Sequence, residues 1–336
     1  MAVMATHLVP NLPSRPRGAG FTLVELMVAV ALGLLIIGGM FTAYLSASWT
    51  TETNARFAET QNNGRYAIDY LRREVQLAGF LGMQNTDSFN KAPAAVTRLG
   101  SIASQVYGSC GTSGFATLVE QPVWGVDDAQ MPSCTAMGNY LRGDVLVLRR
   151  AGLDAVPATA GSLPTVSGTT LYLRVDPSHA TVYLGSDQSQ LSAATRAGET
   201  YTPEYYPLAV DVYYISSCTN SPCESPGIPA LYRLSLGAGP TFTPQLIATG
   251  IENMQVQYGV RSGTDVIFRN ADAVAAAEWP TVVSVRLWLL ARSTDTEGGG
   301  YANTASYTMG NRTYPASGSS DSYLRQLFPL VVGVRH

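Results

Sequence analysis

Residues 18–41 read GAGFTLVELMVAVALGLLIIGGMF, and one residue in that stretch is out of place. From Leu26 to Leu45 there are twenty residues without a charge, about 30 Å as a helix, enough to cross a bilayer. Glu25 stands at the start of this run. A carboxylate in lipid is costly unless something compensates for it. An ordinary secretory signal, cut after the apolar stretch near Ser46-Ala47-Ser48, gives Glu25 no purpose and needs fewer apolar residues. A cut on the other side, between Gly20 and Phe21, gives it one. Phe21 then carries a free α-amine four residues from Glu25. In a parallel, staggered assembly one copy's Glu25 meets the next copy's amine, and only the correct stagger neutralises both charges.

The rest of the chain is compatible with a protein anchored in this way. Of its 336 residues 46% are hydrophobic and only 13% charged, low for a freely soluble domain. Net charge is −3, and loss of residues 1–20 with Arg15 and Arg17 leaves −5. No basic patch is visible, which argues against direct nucleic-acid binding. Arg15 and Arg17 precede the span and put the N-terminus in the cytoplasm, with everything after residue 45 outside. Cys110, Cys134, Cys218 and Cys223 then lie in an oxidising compartment. Of their three pairings, Cys110–Cys134 with Cys218–Cys223 is preferred, because each pair closes its own loop. The cysteine spacings fit no usual zinc pattern, and His7, His179 and His336 are the only histidines, so no metal or cofactor is expected.

Four segments follow from patterning. Residues 1–20 are a polar leader, to be removed. Residues 21–45 are a transmembrane and assembly helix. Residues 46–82 continue it as an amphipathic helix, with Leu45, Trp49, Phe57, Ala67 or Ile68, Leu71, Val75 and Ala78 on one stripe and Thr53 and Gly64 at its weak points. No proline interrupts residues 18–91, so one helix of about 55–60 residues, roughly 80–90 Å long, is allowed; a hinge near Ser46–Ser48 is the alternative, and Gly64 is a place for either version to bend. Residues 83–336 form a β-rich body, with strands expected at 144–150, 169–175, 209–217, 230–236, 251–260, 281–293 and 323–335. In 144–150, Val145, Val147 and Arg149 alternate with Leu146, Leu148 and Arg150. Tyr213 and Tyr214 point to opposite faces, so one sheet buries only one of them. Trp288 reads as core, and the segment 294–311 as an exposed, mobile loop. The fold class is α+β: a long N-terminal helix carrying an antiparallel β-rich body.

Gly20 to Glu25, G-F-T-L-V-E, resembles the prepilin-type leader of type IV pilins and type II secretion pseudopilins. The resemblance implies cleavage after Gly20, methylation of Phe21 by a prepilin peptidase/N-methyltransferase, and an assembly role for Glu25. NNGRYAIDYLRREVQLAGFLG (62–82), IENMQVQYGV, VVSVRLWLLARS and SYLRQLF resemble segments of PilW-type minor pilins. That implies a pilin-like fold and a minor pilin that helps initiate a type IV pilus and enters it at or near the tip, with indirect roles in twitching motility, adhesion or DNA uptake. Its implied partners are other minor pilins, the major pilin, an inner-membrane assembly platform, a tip adhesin and, before assembly, membrane lipid. Its implied location is the inner membrane with a periplasmic body, then the pilus at the cell surface. The alternative is a J-type minor pseudopilin of a type II secretion system, although the RRE-x-x-x-AGF pattern of Arg72–Phe80 favours the pilus.

An enzyme is not expected. No G-x-S-x-G, H-E-x-x-H or P-loop occurs. Asp127, Asp128, Asp144 and Asp211 are scattered over turns and strand ends and read as structural. The acidic loop around Asp295 and Glu297 lacks the regular oxygen alternation of a calcium loop.

Overall fold

The structure, a computed structural model, describes residues 20–82, 95–100, 102, 110–111, 114–159, 161–177, 179–192, 202–239, 241–298, 300–315 and 320–334. Arg15 and Arg17, the leader before Gly20, His7 and His336 lie outside the described residues. The chain divides into two compact units, one ending at Glu52 and the other beginning at Thr53. The division falls within α1, Leu23–Leu77.

In the first unit α1 has no interior to face. Phe21, Leu26, Ile36, Phe41 and Trp49 are all exposed. Polar groups in this half are satisfied locally: the hydroxyls of Thr42, Thr50 and Thr51 donate to the carbonyls of Gly39, Ser46 and Ala47 at 2.9 Å. That back-bonding removes the need for a polar partner in an apolar medium.

In the second unit the helix turns one stripe inward, burying Thr60, Gly64, Ala67, Ile68, Leu71 and Val75 at steps of three and four. Gly79 ends it at φ +81°, the left-handed geometry that a residue with a Cβ resists. The outgoing chain is then laced to a strand, Gly79 N–H donating to Arg149 O and Ala151 N–H to Phe80 O.

The strands are β1 Ala95–Arg98, β2 Val123–Val126, β3 Tyr140–Ala151, β4 Leu171–Val175, β5 His179–Leu184, β6 Glu204–Ser216 and β7 Ala230–Leu236. They continue as β8 Phe242–Thr249, β9 Ile251–Ser262, β10 Asp265–Arg269, β11 Val282–Arg292, β12 Tyr307–Met309, β13 Arg312–Tyr314 and β14 Arg325–Gly333. One eight-stranded sheet runs β1-β5-β4-β6-β3-β2, with β7 and β8 added beside β6. β6 is long enough to serve two neighbours on one edge, β4 at Glu204–Pro207 and β7 at Asp211–Ser216. A second sheet runs β10-β9-β11-β14, and β12 and β13 form a small hairpin. Every pairing is antiparallel except β1 with β5. The architecture is therefore a long apolar helix followed by a β-rich body of mainly antiparallel sheets.

Two cores lie on opposite faces of the first sheet. The helix stripe, Leu146, Leu148, Tyr213 and Ile215, and the inner face of the second sheet make one core; Met254, Val256, Leu287, Leu289, Phe328 and Leu330 contribute from that sheet. Val145, Val147, Val212 and Tyr214 make the other, roofed by Phe115, Val119, Met131 and Met137 from the chain around β2. The Cys110–Cys134 disulfide lies in this roof, and Cys218–Cys223 closes a tight loop after β6. Tyr213 and Tyr214 do point to opposite faces, and both are buried, because separate cores cover the two faces of their sheet. Arg149 is buried too. Its Nε donates to Phe115 O, its Nη1 to Gln121 O, and its guanidinium lies 4.5 Å from the centre of the Phe115 ring.

The two sheets meet where β10 stops. β9 pairs with β10 only from Tyr258 onward, which leaves an open edge before it, and β3 closes on that edge. Gly143, at φ +82°, lets the backbones approach: a Cβ there would stand 2.6 Å from Met254 O. Asp144 then accepts the N–H of Val256 at 2.6 Å and of Asp128 at 2.8 Å.

Candidate functional site

The N-terminal segment is built around Thr22 and Glu25. Thr22 stands just before the first helical residue, and Glu25 three residues later. Glu25 Oε2 accepts the Thr22 N–H at 3.0 Å and the Thr22 hydroxyl at 2.9 Å, while Thr22 Oγ1 accepts the Glu25 N–H at 3.2 Å. This is a reciprocal capping box, which satisfies N–H groups that a helix start leaves open. The sequence reading missed this local role, although T-x-x-E before an apolar run announces it. The cap orients the carboxylate and leaves its negative charge in place. Oε1 has no partner among the described residues, and around Gly20 no atom stands within 4 Å of an added Cβ. Gly20 and Phe21 are in open, extended chain immediately before the helix. Both are exposed.

In the body, three of the four aspartates considered for acid–base chemistry come together. Arg312 pairs with Asp127 and, at 3.2 Å, with Asp128; Gly143 N–H donates to Asp128 at 3.1 Å. Burial pushes the Asp144 carboxyl up to about 7, against the opposing effect of its two backbone N–H donors. Asp211 lies elsewhere, accepting from the Ser235 hydroxyl at 2.6 Å near Arg233, and burial raises its carboxyl too. His179 begins β5. These groups tie strands together: Asp144 joins β3 to β9, and Arg312 fastens the β12–β13 hairpin.

Most of the described residues of 294–311 are exposed, but the segment is anchored at three buried residues. Glu297 is buried, accepting from the Thr53 hydroxyl at 2.8 Å and lying 3.5 Å from Arg56, which also donates to Thr296 O at 2.7 Å. Asn303 and Met309 are buried as well. Glu297 therefore fastens a strap to the helix. No group of three or more His, Cys, Asp or Glu arranged to hold a metal occurs among the described residues. Trp288 is half-buried on the outer face of the second sheet, beneath the hairpin turn at Gly310.

Residues 212–336 match the model of the family described as type IV pilus-assembly protein W, and residues 15–41 match the prokaryotic N-terminal methylation motif. No curated protein matches the chain. Among solved structures, the type IV-like pilin TTHA1219 from Thermus thermophilus is similar over 57% of this chain and 77% of that one, at 17% identity and a TM-score of 0.26. The two matched segments hold Gly20, Phe21, Glu25 and the start of the exposed apolar helix at one end of the chain, and the second sheet at the other.

Proposed function

We propose that this protein is a minor pilin that helps initiate a type IV pilus and enters it at or near the tip. The observation that carries the reading is the combination of a methylation motif at the start of an exposed apolar helix with a PilW-type C-terminal region. In this reading a prepilin peptidase cuts after Gly20 and methylates the Phe21 amine. The helix holds the protein in the inner membrane, with the body in the periplasm, until assembly. There the exposed apolar side chains exchange lipid for neighbouring pilin helices, and Glu25, held outward by its cap, meets a neighbour's N-terminal amine. The protein is the substrate of this processing chemistry, and its own part is structural. Other minor pilins, the major pilin and the assembly platform are its partners, and motility, adhesion and DNA uptake depend on it indirectly.

Mass spectrometry of the membrane-inserted chain, with and without the cell's prepilin peptidase, tests the first step. A chain beginning at methylated Phe21, formed only with the peptidase, is expected. A chain beginning near Trp49 in both cells would end the reading. Glu25→Val tests the second step: the variant is expected to be cut and membrane-held normally, yet to fall at least about tenfold in sheared pili. Wild-type recovery in the pilus fraction would remove the pairing role.

A further inference from the structure

β9 carries an unusual row. Its inward face is Met254, Val256 and Tyr258, but on the other face Asn253 and Gln255 are also nearly fully buried, each 4% exposed. Two primary amides offer several hydrogen-bonding positions each. Among the described residues these two make one bond to each other, Gln255 Nε2 donating to Asn253 Oδ1 at 3.2 Å. Burying amides with so few partners is unfavourable unless something else meets them. Their remaining groups open on a groove of about 530 Å³ between Arg142 of β3, the amide row of β9 and the β12–β13 hairpin. That volume lies within the range of small-molecule sites, about 300–1,000 Å³. At the hairpin tip Asn311 lines the opposite wall, exposed and without a side-chain hydrogen bond to another described residue.

We propose that this groove binds a neutral saccharide, its hydroxyls bridging the amides of Asn253 and Gln255 to that of Asn311. The charges around the groove favour a neutral ligand. Arg312 is occupied by Asp127 and Asp128, and Arg142 lies 4.8 Å over the Tyr314 ring and donates to its hydroxyl, which in turn donates to Glu252 at 3.0 Å. No unpaired like-charge cluster remains to hold an anion. A peptide fits less well, because peptide grooves need apolar pockets for side-chain anchors. Here Met309 is the sole aliphatic lining residue, and it is fully buried. Free amide donors and acceptors facing one another across a neutral cleft match the paired donor and acceptor character of sugar hydroxyls. The inference concerns the body alone and stands apart from the pilus reading.

The test is saturation-transfer difference NMR on the full chain in a detergent without a sugar headgroup, with maltose, lactose and N,N′-diacetylchitobiose as probes. Transfer to at least one of the three is expected. Asn311→Ala changes one exposed side chain, so folding is spared, and is expected to weaken that binding at least about tenfold. Gln255→Met, with the near-UV circular dichroism of the body retained, is expected to weaken it similarly. Transfer to none of the three sugars, or transfer undiminished in the hairpin-tip variant, overturns the proposal. Tighter binding of sialyllactose than of lactose overturns the neutral class.

Discussion

Gly64 faces β14 at a distance that leaves no room for a side chain. A Cβ there would stand 2.1, 2.5 and 2.7 Å from Cε2, Cζ and Cδ2 of Phe328. Gly64→Ala therefore sets two effects against each other. Alanine in a helix interior gains about 1 kcal/mol over glycine. Overpacking a core typically costs about 1–3 kcal/mol. Ordinary contact needs about 3.4 Å or more, so the ring must retreat by more than about 1 Å. Phe328 is an aromatic ring without flexible length to give, buried and paired in register with buried Leu289. The cost should sit near the upper end, for a net loss of roughly 2 kcal/mol and a fall in Tm of roughly 4 °C for a body of this size. Thermal unfolding of the full chain in detergent micelles, followed by near-UV circular dichroism, measures it. Phe328→Leu, which shortens the opposing side chain, should recover about 1 kcal/mol of the loss when combined with Gly64→Ala. A Tm for Gly64→Ala equal to or above wild type, or a double variant no better than the sum of the singles, would refute the close approach.

Two further outcomes follow from the body. Because the Asp144 carboxyl is raised to about 7, the folded state holds its proton more tightly than the unfolded chain. Stability should therefore fall as pH rises from about 4 to about 7, by up to roughly 4 kcal/mol from this group, with Asp211 acting in the same direction. Asp321 and Glu224, whose carboxyls are held low by hydrogen bonds, act with the opposite sign, and below about pH 4.5. Asp144→Asn, in contact with the Asp127–Asp128–Arg312 group, should lower the baseline Tm by orphaning one N–H yet flatten its slope between pH 5 and about 7.5; an unchanged slope would put the titration elsewhere. Glu297→Gln should loosen the strap, speeding amide hydrogen exchange over Thr53–Thr60 while leaving Gly64–Leu77 as protected as before; uniform exchange along both segments would deny the strap its local role.

The N-terminal chemistry was readable because it is local: one carboxylate beside an apolar run, a glycine and a phenylalanine before it. The helix stripe at Ala67, Ile68, Leu71 and Val75, and strands such as Val282–Arg292, were readable from their periods. What escaped depends on partners distant in the chain. Arg149 looked like one face of an alternating strand, and nothing in 144–150 announces that Phe115 and Gln121 will meet it. The small polar residues of 294–311 resemble a loop until Glu297 finds Thr53, 244 residues away. A strand at 251–260 was readable, but that its amides Asn253 and Gln255 would be buried was not. Tyr213 and Tyr214 were assigned to opposite faces correctly; the roof that buries the second face comes from irregular chain with little periodic signal.

The order of side-chain size along the helix specifies more than attachment. Gly64 carries no side chain where the helix nears Phe328, and Ala67, Ile68, Leu71 and Val75 fill the core between the sheets. Thr60 also bonds its hydroxyl to Arg56 O at 2.9 Å, so it needs no partner from the body. Sliding this half of the helix by one turn would bring Ile68 to the place of Gly64, and its branched side chain would enter the Phe328 ring. Rotating it would remove Leu71 from the core. The packing thus admits one register of Thr53–Leu77 on the sheets, fixed by the absence of a side chain at residue 64 as much as by the apolar ones around it. A generic amphipathic stripe would bury similar area in several registers. The Gly64–Phe328 contact turns that freedom into a single register of Thr53–Leu77 on the sheets.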